Sequence, residues 1–310
     1  MQFEQDSEKY NLPDIFLVGA AKCGTTTLAY YVQQHPDVAM PRKEPGFMAY
    51  YNKPDHEVPS KILKRQVRDF EEYKALYRKL PTDKKICDAS VANLSKYQDS
   101  IQNLKNFYGD RAKDLKIVAI LRQPVDRSFS HYMMLVKNGY EDLSFEEAIK
   151  DENVAARISK ANGFDYLRNS VYFDRVKAYK EAFPQMKIVL TDDLKSPEKL
   201  AHDLFDYLEL PYPENIKLDM KLNPSGMPKS KGLMRALNHY SGTKEKLKRA
   251  LPESWSAKMV EVKSAITARN VVKVKVDQEI KRDLTLNYFR EDIEKLSGLI
   301  DRNLNHWLDV

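Results

Sequence analysis

Val18-Gly19-Ala20-Ala21-Lys22-Cys23-Gly24-Thr25-Thr26-Thr27-Leu28 follows the apolar run Asp14-Ile15-Phe16-Leu17-Val18 and leads into a segment with helical spacing. A short apolar run that stops at a glycine suits a buried strand. From Thr25 to Gln34, Leu28, Tyr31 and Val32 share one face, and Pro36 ends the pattern. Strand, glycine-bearing turn and helix open a βαβ unit. Small residues let the backbone approach a ligand closely. The helix start offers unpaired N–H groups at the positive end of a dipole. Lys22 adds a charge and the three threonines add hydroxyls, so the stretch reads as an anion cradle. It departs from the Walker A pattern, in which lysine directly follows the second glycine and the next hydroxyl residue holds magnesium. Here Thr25 follows Gly24, and the lysine sits inside the loop.

Outward from the cradle, strand and helix patterns alternate. Lys85–Asp88, Lys116–Leu121 and Lys187–Leu190 read as strands. Helical patterns cover 70–80, 98–108, 169–183, 196–208 and 282–300. A further helix opens at Pro124, and Ser144 with Glu147 forms a capping box for another. Residues 35–68 carry five prolines and read as a long functional loop. The expected fold is α/β: a P-loop-like parallel sheet with helices on both faces, in a single domain. Within it, residues 1–13 form an N-terminal arm, 14–210 the core, and 211–310 a basic loop with helices.

With 310 residues, 42% hydrophobic and 31% charged, the chain is neither disordered nor an integral membrane protein. Its longest apolar runs, 15–21 and 117–121, are too short to span a bilayer. Two cysteines, Cys23 and Cys87, exclude a disulfide scaffold and cannot alone close a tetrahedral zinc site. The polar N-terminus has no apolar segment of the secretory kind, which predicts a reducing, cytoplasmic setting. Net charge is +6, and residues 227–282 hold 14 Lys and Arg against 5 Asp and Glu. That excess is either a solvated helical surface or the neighbourhood of an anionic ligand. No nucleic-acid-binding signature accompanies it.

A second motif is Ile120-Leu121-Arg122-Gln123-Pro124-Val125-Asp126-Arg127-Ser128-Phe129-Ser130. A parallel strand delivers Arg122 at the sheet edge where α/β ligands bind, and Ser130 lies about two turns into the following helix. Arg122 can fork onto a phosphate and Ser130 can add a donor. Alone, the segment also fits an Arg–Asp surface pair with Asp126.

Together the two motifs resemble the sulfotransferase family, in its bacterial and heparan-sulfate-like branch. The resemblance extends to 42–47, to Asn223-Pro224-Ser225-Gly226-Met227-Pro228-Lys229-Ser230-Lys231-Gly232, and to Leu304-Asn305-His306-Trp307-Leu308. It implies 3′-phosphoadenosine 5′-phosphosulfate (PAPS) as donor, PAP as product and no metal. Lys22, Cys23, Gly24, Thr25, Thr26 and Thr27 would hold the 5′-phosphosulfate, and Arg122 and Ser130 the 3′-phosphate. Lys229, Ser230, Lys231 and Gly232 would fold over the nucleotide. Gln123 stands where the family often has Asp or Asn, which weakens a capping interaction.

Lys22 would offset charge on the leaving oxygen. Glu44 is the implied base, and Asp88 is a second candidate that could instead orient Lys22 or bind acceptor. His35 and His131 read as packing or loop residues. The stripe Tyr166, Tyr172, Tyr179 reads as core, with Tyr172 also a possible contact to nucleotide or acceptor. The acceptor is a carbohydrate, a lipid-linked sugar or a small metabolite, bound by loops 40–70 and 132–168. Competing readings are a P-loop kinase or nucleotide hydrolase with a degenerate loop, and a non-catalytic nucleotide-binding protein.

Overall fold

In the computed structural model, residues 1–5, 8–58, 63–81, 83–158, 162–219, 227–228, 271–272 and 274–310 are described. Four apolar runs become parallel strands because each is buried on both faces. After a hairpin of β1 (Gln2–Gln5) and β2 (Glu8–Asn11), the sheet strands are β3 (Ile15–Gly19), β4 (Val38–Ala39), β5 (Lys85–Asp88), β6 (Lys116–Leu121) and β7 (Lys187–Leu190). Their order is β4-β5-β3-β6-β7, with every pairing parallel. The chain moves from β3 to one side of the sheet and then returns to the other. β3 and β6 therefore flank the switch point at which open α/β sheets bind ligands. The register of β3 against β6 shifts between Leu17 and Gly19. Val18 is the unpaired residue there, and Ala20 N–H then donates to Ile120 O at 2.8 Å.

Helices flank the sheet: α1 (Thr25–Gln33), α2 (Phe47–Tyr50), α3 (Phe70–Tyr77), α4 (Ala92–Ser95), α5 (Tyr97–Tyr108), α6 (Pro124–Lys137), α7 (Phe145–Ala148), α8 (Asp151–Ile158), α9 (Phe173–Ala182) and α10 (Pro197–Tyr207). One contiguous apolar core runs through sheet and helices. The expected fold class and single domain are what the chain adopts. The N-terminal arm is a hairpin whose Phe3 packs edge-on against Tyr108.

Three local expectations differ from the structure. The loop 35–68 contains the edge strand β4 and the short helix α2. Helix α9 starts at Phe173, four residues later than its periodicity suggests. The cause is distant: the Asp292 carboxylate accepts the N–H groups of Tyr172 and Phe173 at 2.8–3.1 Å and fixes the helix start. The C-terminal helix starts early, at Gln278 behind the capping side chain of Asp277. It widens into a π-helical turn over Leu284–Phe289 before continuing as Arg290–Ile300.

Candidate active site

The C-terminal ends of β3, β5, β6 and β7 converge on two adjoining cavities. The first, about 630 Å³, is lined by 21–27 of the cradle with Arg122, Ser130, Lys137 and Thr191. The second, about 590 Å³, is lined by segments around 42–50, 91–96 and 163–175. Ala21, Lys43, Glu44, Val91 and His131 border both.

The cradle bends where its residues allow. Gly24 caps α1 at φ +107, and a Cβ there would come within 2.9 Å of Leu194 Cδ1. Only glycine meets both demands. Lys22 also has positive φ, at +74. Burial pulls its ammonium pKa down, and Lys137, Arg127 and Arg122 add repulsion. Four cations thus crowd one loop, the electrostatic mark of an anion site. Arg122 and Ser130 line the same cavity as Lys22, so the structure brings the two motifs together. Asp126, the alternative partner for Arg122, pairs instead with Lys281 at 3.2 Å.

Cys23 is fully buried, with Sγ 3.5 Å from the Tyr172 hydroxyl, and burial pushes its thiol pKa up. It is a neutral filler under the loop. Tyr172 is itself fully buried and borders neither cavity, as Tyr166 and Tyr179 are core. Gln123 keeps the cap expected to weaken. Its Oε1 accepts from Asp126 N–H at 2.9 Å, while its Nε2 donates to Thr285 Oγ1 at 2.9 Å. The extra methylene thus ties α6 to the π-helical turn.

Glu44 sits at the boundary with positive φ, +62, uncommon for a non-glycine residue. Its N–H donates to Ala89 O at 3.1 Å, and its Oε2 accepts from Val91 N–H at 3.2 Å. Burial raises its carboxyl pKa, opposed by Lys43. Lys43 Nζ donates to Thr26 Oγ1 at 2.7 Å, joining the Glu44 loop to the cradle.

Asp88 does not reach either cavity. Its carboxyl is fully buried, accepting from Tyr73 hydroxyl at 2.7 Å and Ser90 hydroxyl at 2.5 Å. Burial raises its pKa to about 6. Ser90 Oγ in turn accepts from Gly46 N–H at 2.9 Å, and Tyr73 stacks on Phe47 with centroids 4.1 Å apart. Asp88 therefore anchors the loop that carries Glu44. No bond links it to Lys22 among the described residues.

His131 lines both cavities, closer to the chemistry than its sequence context suggests. Burial, with Arg127 and Lys22 nearby, holds its pKa well below the ordinary value, so the ring is neutral. A site that disfavours the proton makes a poor base. The late-loop residues Lys229, Ser230, Lys231 and Gly232 lie outside the described residues.

Three contributors escaped the sequence reading. Thr191, directly after β7, donates to Cys23 O at 2.6 Å and contacts Leu121 O at 3.1 Å, clamping cradle to sheet. Arg127 Nε donates to Ala21 O at 3.1 Å from a nearly fully buried position. Lys137 follows Ser130 by seven residues, two turns along the same helix face, a spacing that was legible.

The chain is similar to known sulfotransferases. The chain is 28% identical over 187 residues to the membrane-associated sulfotransferase kil1 of Dictyostelium discoideum; the match covers 57% of this chain and 33% of that protein. The chain thus spans about a third of that relative's length. No helix among the described residues is long and apolar enough to cross a membrane. A crystal structure of a sulfotransferase from Alicyclobacillus acidocaldarius matches with a TM-score of 0.66 and 26% identity, over 96% of this chain and 99% of that one. The family model described as Sulfotransferase family matches residues 13–214, from the first core strand past the last helix of the sheet. That span takes in every segment of the cradle, and on it the chain belongs to the sulfotransferase family.

Proposed function

We propose that this sulfotransferase uses PAPS and transfers its sulfuryl group to a hydroxyl or amine of a carbohydrate, lipid-linked sugar or small metabolite, as a cytoplasmic enzyme. The observation that carries the reading is the shared border of the two cavities, where Glu44 stands between a cationic cradle and a second pocket. Backbone N–H groups of 24–26 and the Lys22 ammonium suit the 5′-phosphosulfate, and Arg122 with Ser130 suits a 3′-phosphate. The acceptor oxygen forms its bond to sulfur as the bridging S–O bond breaks, roughly in line by analogy with phosphoryl transfer. The acceptor proton passes to Glu44, and Lys22 offsets the charge gained by the leaving phosphate. Raised by burial, the Glu44 carboxyl is a stronger base than an exposed one. Asp88 serves as a positioning residue for the Glu44 loop. Lys229, Ser230, Lys231 and Gly232 are further candidates to bind the nucleotide, by their charge and hydroxyl alone.

Incubation with ³⁵S-labelled PAPS and a cell extract, followed by isolation of the labelled product, tests the reading. A labelled acceptor dependent on the protein is expected. Magnesium-dependent ATP turnover without sulfate transfer would favour the kinase or hydrolase alternative, and tight PAP binding without transfer the binding-protein alternative.

A further inference from the structure

The second cavity carries more cations than carboxylates. Arg42, Arg65, Lys96, Arg127, Arg168 and Arg175 line it and not the donor cavity, and Glu44 borders both. The one carboxylate confined to it among the described residues is Asp165, which lies 3.5 Å from Arg168 Nε. Arg42 and Arg175 donate to backbone carbonyls: Arg42 to Arg65 O, Arg175 to Asn169 O at 3.0 Å and Arg168 O at 2.8 Å. Arg65 acts on Glu44 across the cavity, and Lys96 has no side-chain partner among the described residues. Seven Lys and Arg side chains, Lys43 and Arg127 among them, therefore line this cavity against two carboxylates, Glu44 and Asp165.

Such an arrangement is costly in an empty pocket. Cations converging on a low-dielectric wall repel one another and lose hydration, and an anion between them offsets both penalties. Arg175 is a withdrawn group of this kind, its pKa lowered by burial and by Arg127. Arg65 and Arg168 are exposed, while Arg42, Lys96 and Arg175 are half-buried. Tyr50, Leu94 and Phe164 supply apolar wall between the cations.

We infer that the acceptor is a small organic acid: an alcohol or amine whose carboxylate, phosphate or sulfate sits among Arg65, Lys96 and Arg175 while its reacting group faces Glu44. This rests on the donor reading above. The volume of about 590 Å³ suits a ligand of metabolite or disaccharide size.

The test is calorimetry on the full chain saturated with PAP, using p-nitrophenyl β-D-glucuronide and p-nitrophenyl β-D-glucoside. The two share a ring and an aryl group and differ at the carboxylate. The 6-phosphate of the glucoside separates a phosphate preference from a carboxylate one. Binding at least about tenfold tighter for an anionic ligand than for the glucoside is expected, from a hydrogen bond to a charged group. The preference should shrink to about threefold or less in the double variant Arg65→Gln/Lys96→Gln, as a lost charge-assisted contact requires. Neither residue lines the donor cavity, so PAP binding of the variant should be unchanged and also reports that it is folded. Equal binding of all three sugars, or none detectable to about 10 mM, with PAP still bound, overturns the acidic acceptor. Failure of PAP itself to bind overturns the donor reading instead.

Discussion

The two cavities are built in different ways. The proposed donor wall takes polar groups from stretches that directly follow parallel strands: 21–27 after β3, Arg122 after β6 and Thr191 after β7. The proposed acceptor wall is gathered from segments far apart in sequence and held by buried carboxylates that touch neither cavity. Asp88 fixes Gly46 through Ser90, and Asp292 fixes the start of α9 near Arg175. An anion cradle is thus a local property of strand-to-helix turns. An acceptor pocket is a property of assembly, open to change without disturbing the donor site.

The largest expected effect lies where the walls meet. Glu44→Gln should lower kcat by about 10²–10⁴-fold while PAP affinity stays near wild type. Wild-type activity should fall as pH drops through a limb above the ordinary glutamate range, because the base must be unprotonated and burial raises its pKa. A pH–rate profile of the variant should lack that limb. Retained turnover in Glu44→Gln under chemistry-limited conditions would leave the acceptor wall without a base.

Asp88 sharpens the contrast through stability. Its folded pKa of about 6 lies above the ordinary aspartate value of 3.8, so the folded state binds the proton more tightly. That contribution is fully present below about pH 4 and is lost as pH rises through about 6, a change on the order of 3 kcal/mol. Urea unfolding of Asp88→Asn should show a flatter stability profile between those limits. An unchanged slope would mean that the carboxyl is not buried as described.

Donor motifs were the more legible half because their signals are short-range. The glycines, Lys22, the threonines and the Arg122–Ser130 spacing all fall within single strand–helix units, as do strands β3, β5, β6 and β7. Strand β4 was missed because two residues between prolines carry no periodicity. The start of α9 was misjudged because its cap, Asp292, comes from another part of the chain. Asp88 carried the right chemistry for a base and the wrong surroundings, and only burial distinguishes the two. The cations of the acceptor wall were scattered over 42–175 and had no shared pattern to expose them.

A smaller effect is expected at Thr191→Val. Loss of the hydroxyl clamp on Cys23 O and Leu121 O should weaken PAP about fivefold, the value of about one hydrogen bond. Affinity for an acceptor measured with PAP saturating should not change. A matching loss on both sides would show that the two walls are mechanically one.

The central claim is that the cradle and the Arg122–Ser130 pair form one site for a nucleotide with phosphates at both ends. Calorimetry of PAP and of adenosine 5′-phosphate against wild type and Arg122→Ala tests it most directly. The account predicts that the variant loses about 10–100-fold for PAP, the scale of a charge-assisted hydrogen bond, and little for the ligand without a 3′-phosphate. Equal losses for both ligands, or no preference for PAP in the wild type, would contradict it.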